Sequence, residues 1–289
     1  MAMMDELARL AAHIGDTVVE EDIATAAPIR LLGAAFGRDG TAAEAGAAIP
    51  TGWHGVYFPP ATPPSELGVD GLPLRSDVIP AMPLPRRMYA GARMRFHQPI
   101  HIGEALTRET ELIGLTPKQG KAGQMAIVTV VSRIIGPQGL AVEEERVSVF
   151  LEEAKAGGEN AAPTPLAEPP ADIAWRDTVT PDEVMLFRYS ALTFNPHRIH
   201  YDAPYATGAE GYPGLVVHGP LSQTYLVNFV KDRNPDRRLV RFDMRARAPL
   251  FVNQPIDLVG RPGREDDCRE VWALTPQGGI AMSATAWFA

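Results

Sequence analysis

The chain has 289 residues, 45% hydrophobic and 21% charged, with Lys+Arg 27 against Asp+Glu 35 and a formal charge of −8. That length suggests two domains or one large one, and the apolar content suffices to bury a core. The acidic balance argues against a nucleic-acid binder, and the single Cys268 excludes an intramolecular disulfide framework and a cysteine-rich zinc site. No run approaches the ~18 uninterrupted apolar residues of a membrane-spanning helix. Asp5, Glu6 and Arg9 stand where a signal peptide needs its apolar run, so the expectation is a soluble, cytoplasmic protein that binds neither nucleic acid nor membrane.

In chain order, a helical N-terminus leads into a Pro-rich stretch from Pro59 to Pro85. It is too long for an ordinary loop and is either a cover for a binding site or an insertion. The runs 106–116, 124–135 and 142–151 are rich in Val, Ile and Thr and broken by Gly-Pro turns, as strands are. Lys118-Gln119-Gly120-Lys121 is no phosphate loop, because Ala122 stands where Ser or Thr is required. From 154 to 171, Gly157, Gly158, Pro163, Pro165, Pro169 and Pro170 cannot continue a helix or a ladder. This reads as a linker dividing the chain into 1–153 and 172–289.

Beyond the linker, Thr180-Pro181-Asp182-Glu183 has the form of a capping box, with Thr180 as N-cap and a helix running to about Ala191. Gly219-Pro220 opens a second helix, 221–231, with Leu221, Tyr225, Leu226, Phe229 and Val230 for burial. Val240, Phe242, Met244, Ala246 and Ala248 alternate with charged residues, and 280–288 alternates in the same way, which reads as antiparallel sheet with one face on a core. The two halves also echo each other. Met94-Arg95, Pro99 and the apolar Ile100 and Ile102 fall without a gap on Met244-Arg245, Pro249, Leu250 and Val252. A repeat straddling a linker favours a duplicated α+β domain.

The densest run of chemical groups is Ser190-Ala191-Leu192-Thr193-Phe194-Asn195-Pro196-His197-Arg198-Ile199-His200-Tyr201-Asp202, placed between the two helices. Loops of this kind often carry reactive groups. His200 can act as a base, or can cap a backbone carbonyl as a structural histidine. Asn195 can orient a water or form an Asx turn before Pro196. His197 and His200 have metal-pair spacing but no third ligand at an established distance, so no metal is expected. Arg198 can clamp a substrate carboxylate, pair with Asp202 or lie on the surface. Gly219 can cap its helix and offer its own N–H to a developing oxyanion, since Pro220 has none. His218 would tie down the start of that helix. Arg86 and Arg87 can meet phosphates or solvate a surface, and Trp53-His54 is expected to pack in the core of the first half.

This segment resembles the MaoC-like dehydratase or (R)-specific enoyl-CoA hydratase family, whose fold is the hot dog and whose motif reads Ser-Gly-Asp-x-Asn-Pro-(Leu/Ile)-His. Thr193 falls on its serine, Asn195 on its aspartate, His197 on its asparagine, Ile199 on its aliphatic residue and His200 on its histidine. Ala206 matches a downstream small residue, and His218-Gly219 matches the His-Gly pair that opens the central helix. The departures are Phe194 for the glycine, Arg198 for the proline and Asn195 for the catalytic aspartate. The variant Leu-Thr-x-Asn-x-His-Arg-Ile-His-Tyr-Asp, with Pro50-Thr51-Gly52-Trp53-His54 and Leu84–Gly91 upstream, looks like a double-hot-dog subgroup. That subgroup includes mesaconyl-C4-CoA (3-methylfumaryl-CoA) and itaconyl-CoA hydratases and mitochondrial-type hydroxyacyl thioester dehydratases.

The resemblance implies two tandem antiparallel sheets, each wrapped around a central helix, with a degenerate first half giving its helix region to an acyl or CoA pocket. It implies a hydro-lyase adding water reversibly to a short branched or dicarboxylic enoyl-CoA, with the CoA thioester as substrate, no cofactor, and a possible homodimer. Asn195, His200 and Gly219 are its catalytic candidates; His197, Arg198, Asp202 and His218 are its substrate-binding candidates. The alternatives are a 3-hydroxyacyl thioester dehydratase of fatty-acid or polyketide metabolism, with CoA or ACP as carrier, and a non-catalytic acyl-thioester-binding protein.

Overall fold

Alternation of branched apolar with polar residues carries most of the chain into extended structure. The computed structural model describes residues 2–38, 43–76, 78–120, 123–153 and 165–289. The first half contains α1 (Ala2–Leu10), β1 (Thr17–Ile23), α2 (Ala26–Ala35), β2 (Arg86–Phe96), β3 (Ala105–Gly120), β4 (Gly123–Gly136) and β5 (Gly139–Leu151). The second contains β6 (Trp175–Val179), α3 (Glu183–Thr193), α4 (Gly219–Asp232), β7 (Leu239–Ala246), β8 (Ile256–Pro262), β9 (Cys268–Leu274) and β10 (Ile280–Phe288). Of the expected linker, 154–164 lies outside the described residues, as do Lys121 and Ala122 of the excluded phosphate loop; 165–171 has neither helix nor strand.

All ten strands join one antiparallel sheet in the order β1-β3-β4-β5-β2-β7-β10-β9-β8-β6. The first five and the last five follow the same internal order, and the halves meet where β2 pairs with β7. An offset of 150 residues, the one that lays Met94 on Met244, also lays Arg93 on Asp243, and these two residues face each other across the seam. The seam therefore sits on a pseudo-two-fold axis. Each half also has an isolated bridge, Ala48 to His101 and Val216 to Phe251, and His101 and Phe251 are related by the same offset. Equivalent hairpins turn on Pro137-Gln138-Gly139 and Pro276-Gln277-Gly278, with the glycines at φ +100° and +83°, where a side chain would be strained.

Two expectations shift. The helix after β6 is capped by Asp182, whose Oδ1 accepts from the Met185 N–H at 2.7 Å, so Thr180 is not the cap. And only the second half keeps a central helix. The apolar side chains Leu221, Leu226, Val227, Phe229 and Val230 of α4 are buried beneath the sheet. After the Ala48 bridge, the described residues of the first half form the 3-10 turns His54–Val56 and Pro64–Glu66 and no α-helix before β2, with His54–Val56 at the matching place. Gly52, Gly55 and the Pro59-Pro60 pair explain this, since a helix through that stretch would hold two glycines and break at the prolines. The turn packs on α4, where Trp53 Nε1 donates to Asn228 Oδ1 at 3.0 Å. The two expected sheets are thus one ladder, and one of the two expected helices is absent.

Candidate active site

Helix α3 stops because Phe194 adopts a left-handed conformation at φ 48°, which lets the Asn195 N–H donate to the Ser190 carbonyl at 2.9 Å. The family motif has glycine at this position, the residue for which that conformation costs least. Here a phenylalanine accepts the strain with its ring 60% exposed. Asn195 Oδ1 then accepts the His197 N–H at 3.0 Å, an Asx turn that leaves the amide nitrogen without a partner among the described residues. One 3-10 turn, Arg198–His200, follows and drives His200 into the interior.

His200 Nδ1 lies 2.7 Å from the carbonyl oxygen of Val216, which can only accept. The proton therefore sits on Nδ1, and Nε2 is a bare lone pair on a ring that lines the main cavity. Burial pushes its pKa down to about 4, despite the opposing bond to Val216. The ring stacks on His218 at a centroid distance of 3.6 Å and meets His197 edge-on at 5.4 Å. Burial, His200 and Arg87 hold His197 at about 3, and burial with the two neighbouring rings holds His218 well below its ordinary value. All three imidazoles are neutral at pH 7.

The fold brings Asn195, His197, His200 and Gly219 together on the wall of one cavity of about 560 Å³. It does not bring the other candidates there. Arg198 donates from Nε and Nη2 to Asp202 Oδ2 at 2.9 and 2.7 Å, and from Nη1 to the Val69 carbonyl at 2.8 Å, while its backbone N–H reaches the Asp70 carbonyl. Arg198 and Asp202 thus fasten the loop to the Pro-rich stretch, which covers this loop, and neither lines the cavity. The Arg198 bond keeps the Asp202 carboxyl below its usual range. His218 is fully buried under His200, 2.8 Å from Ser190 Oγ, and does not reach the cavity either. These three substrate-binding candidates therefore lie outside the cavity wall, with Arg198 and Asp202 fixing the loop and His218 packed beneath it.

Gly219 begins α4 against the Tyr89 ring of β2, and a methyl group there would overlap that ring. Tyr89 OH donates to Gln223 Oε1 on the next turn of α4. The candidate glycine of one half is therefore walled by a side chain of the other. The remaining cavity residues come largely from the space left by the missing helix, including His54, Arg87, Glu144, Arg146 and Ser148. His54 and Trp53 are buried as expected, but they face the cavity and α4. Burial pushes the Glu144 carboxyl up, but Arg146 and His54 outweigh it and hold it at about 2. Arg86 pairs with the buried Glu210 at 2.6 Å, whereas Arg87 faces inward. Neither arginine is the simple surface charge that its sequence context favoured. One signal for the inner charges was present: Val142, Glu144, Arg146, Ser148 and Phe150 alternate along β5, so polar groups share a face with core residues.

Residues 52–252 match the family model described as hydroxyacyl-thioester dehydratase type 2. The chain is 45% identical over 275 residues to the mesaconyl-C(4)-CoA hydratase of Chloroflexus aurantiacus, covering 95% of this chain and 96% of that one. Its fold matches a solved MaoC-like dehydratase with TM-score 0.72 at 16% identity, covering 96% of this chain and 99% of that one. It also matches a Mycobacterium tuberculosis protein described as having a double hot-dog fold, with TM-score 0.59 at 14% identity and 96% of both chains covered. The duplicated sheet, the helix kept in one half and the Asn195–His200 loop over the cavity thus agree with the sequence match, and the chain belongs to the hydroxyacyl-thioester dehydratase type 2 family, built as a double hot dog.

Proposed function

We propose that this protein adds water reversibly to a short enoyl-CoA that carries a second carboxylate, as the name of its Chloroflexus relative says of that enzyme. The observation that carries this reading is the cavity itself. It joins a bare His200 Nε2 to a helix-start N–H at Gly219, and among its apolar lining residues it sets the charged and polar groups of Arg87, Glu144, Arg146 and Ser148, which a plain fatty acyl chain would not call for. In this arrangement residues 1–153 supply the acyl pocket and 172–289 the chemistry.

In hydration, His200 Nε2 takes a proton from a water that the Asn195 amide orients, and the oxygen of that water bonds to the β-carbon. The π electrons move to the thioester oxygen, where the Gly219 N–H and the positive end of the α4 dipole meet the enolate charge. The enolate collapses as the α-carbon takes the proton back from the His200 imidazolium. A pKa of about 4 makes that imidazolium a strong enough acid to give it up readily. Asp202 is engaged outside the cavity and His197 is neutral, so neither competes as donor. Each proton passes between water, His200 and substrate, so the reaction needs no cofactor. Among the described residues no helix is long and apolar enough to cross a membrane.

The test is the loss of enoyl absorbance with mesaconyl-C4-CoA and with crotonyl-CoA. Turnover favouring the dicarboxylyl ester supports the proposal. Preference for long-chain 3-hydroxyacyl thioesters would favour the fatty-acid dehydratase alternative, and no turnover of any thioester would leave an acyl-binding protein.

A further inference from the structure

The cavity of this acidic protein is lined by Arg87, Arg108, Arg146 and Arg247, with Glu144 as its one carboxylate among the described residues. Two of these cations are accounted for. Arg108 is paired with Glu20, and Arg247 is exposed at the end of β7. Arg87 and Arg146 line the cavity from β2 and β5. Arg87 has no ion pair or hydrogen bond with any described residue; its guanidinium lies 5.5 Å from the centre of the Phe150 ring. The acid that faces it, Asp70, is outside ion-pair distance and accepts the Leu72 N–H. Arg146 reaches Glu144 through Nη2 alone, at 3.3 Å to both oxygens, and Glu144 is shared with His54. The Arg146 side chain keeps 46% of its surface open although it stands mid-strand in β5, because that surface is cavity wall.

A cation held in a cavity wall without a close counter-ion is costly, as for Arg87, and the positive charge of Arg146 adds to that cost. Burial and the nearby Arg146 together push Arg87 down to about 10, so both remain charged at neutral pH. The same Arg87 acts on His197, whose ring is 5.4 Å from that of His200, so the unpaired charge lies near the place where water is added. In an enoyl-CoA with a carboxylate on its β-carbon, that carboxylate is one bond from the carbon that receives the hydroxyl.

We infer that Arg87, backed by the free side of Arg146, binds the second carboxylate of the acyl group and so selects dicarboxylyl over simple enoyl thioesters. This inference rests on the proposed function and gives it a specificity residue, in the role the sequence had offered to Arg198. A planar guanidinium grips a carboxylate through two parallel hydrogen bonds, which lysine cannot reproduce.

The experiment compares wild type with Arg87→Gln and Arg87→Lys on mesaconyl-C4-CoA and crotonyl-CoA. It also measures inhibition by succinyl-CoA, which carries the carboxylate but no double bond, against its isostere butyryl-CoA. The clamp predicts that the ratio of kcat/KM values, dicarboxylyl over crotonyl, falls about a hundredfold in Arg87→Gln. A lost charge-assisted pair of hydrogen bonds has roughly that effect. Arg87→Lys should recover only part of the ratio, and the wild-type preference for succinyl-CoA should vanish in the glutamine variant. Equal loss on both substrates would mean that Arg87 meets the phosphates of CoA, and would overturn the inference. If Arg87→Gln does not fold, a wild type that binds succinyl-CoA no better than butyryl-CoA overturns it without any variant. Failure of the wild type to hydrate either ester would sink the proposed function instead, while the succinyl-butyryl comparison still decides the clamp.

Discussion

The two halves share strand order, hairpin turns and the extended segment around Pro99 and Pro249, and differ in what lies beneath the sheet. The second half fills its concavity with α4 and carries the Asn195–His200 loop. The first half has a 3-10 turn and the charged wall of β5 in the corresponding place. Duplication thus separates two demands that a single hot dog must meet at once. One copy stays packed around α4, while the other lacks that helix and leaves room beneath its sheet for a cavity lined in part by charged residues.

The sharpest break in that division is His200→Ala, which should lower turnover by roughly a hundredfold or more while circular dichroism stays that of wild type. Near-wild-type kinetics in the folded variant would remove the second half's claim to the chemistry. Gly219→Ala tests the contact between halves. Its methyl overlaps the Tyr89 ring, and overpacking of this kind costs about 1–3 kcal/mol, so a large fall in both activity and Tm is expected. Combined with Tyr89→Ala it should cost less than the sum of the two single changes, and strict additivity would mean that the residues do not touch.

A third measurement concerns pH. His197, His200 and His218 all have pKa values below those of the unfolded chain, so on acidification the unfolded state takes up protons that the native state refuses. Stability should therefore be full above pH ~6.5 and fall progressively toward pH 4 and below. His200→Asn should flatten part of that loss in a series of thermal melts. Asn195→Asp acts in the opposite sense on catalysis. A carboxylate near the imidazole favours its protonated form, so the acid limb of the rate profile should move up from near pH 4, and a limb that does not move would make Asn195 a turn former only. The smallest effect is expected of Arg198→Lys. Because Arg198 holds Asp202 and the Val69 carbonyl outside the cavity, losses on mesaconyl-C4-CoA and crotonyl-CoA should be modest and equal, whereas a selective loss on the dicarboxylyl ester would return the carboxylate to Arg198.

The sequence made the duplication legible because alternation and turn residues are local signals. Met94 on Met244 pointed to a register that the seam at Arg93 and Asp243 then expressed. His200, Asn195 and Gly219 were legible for the same reason, since a short loop and a helix start carry them in one stretch of chain. What the sequence could not reveal was which neighbours lie across the fold. Arg198 looked like a clamp until Asp202 and the Val69 carbonyl took its donors, and His218 looked able to reach substrate until Ser190 and the His200 ring enclosed it. Arg87, Tyr89 and Arg146 come from strands more than forty residues away from the loop, and although alternation along β5 put polar groups on an inner face, it does not say which wall they form. The cap moved from Thr180 to Asp182 because two good cap residues stand two positions apart and only one completes the bond to Met185.

The seam between β2 and β7 also bears on how the molecule comes apart. Five residue pairs join the halves there, within a sheet whose neighbouring strands are hydrogen-bonded out to both edges, and Tyr89 stands two residues before the first of them. Opening that junction would withdraw the tyrosine from Gly219 and empty the cavity of one wall. Under denaturant, loss of activity and loss of sheet signal should therefore coincide in a single cooperative transition, with no intermediate in which the catalytic half still works alone.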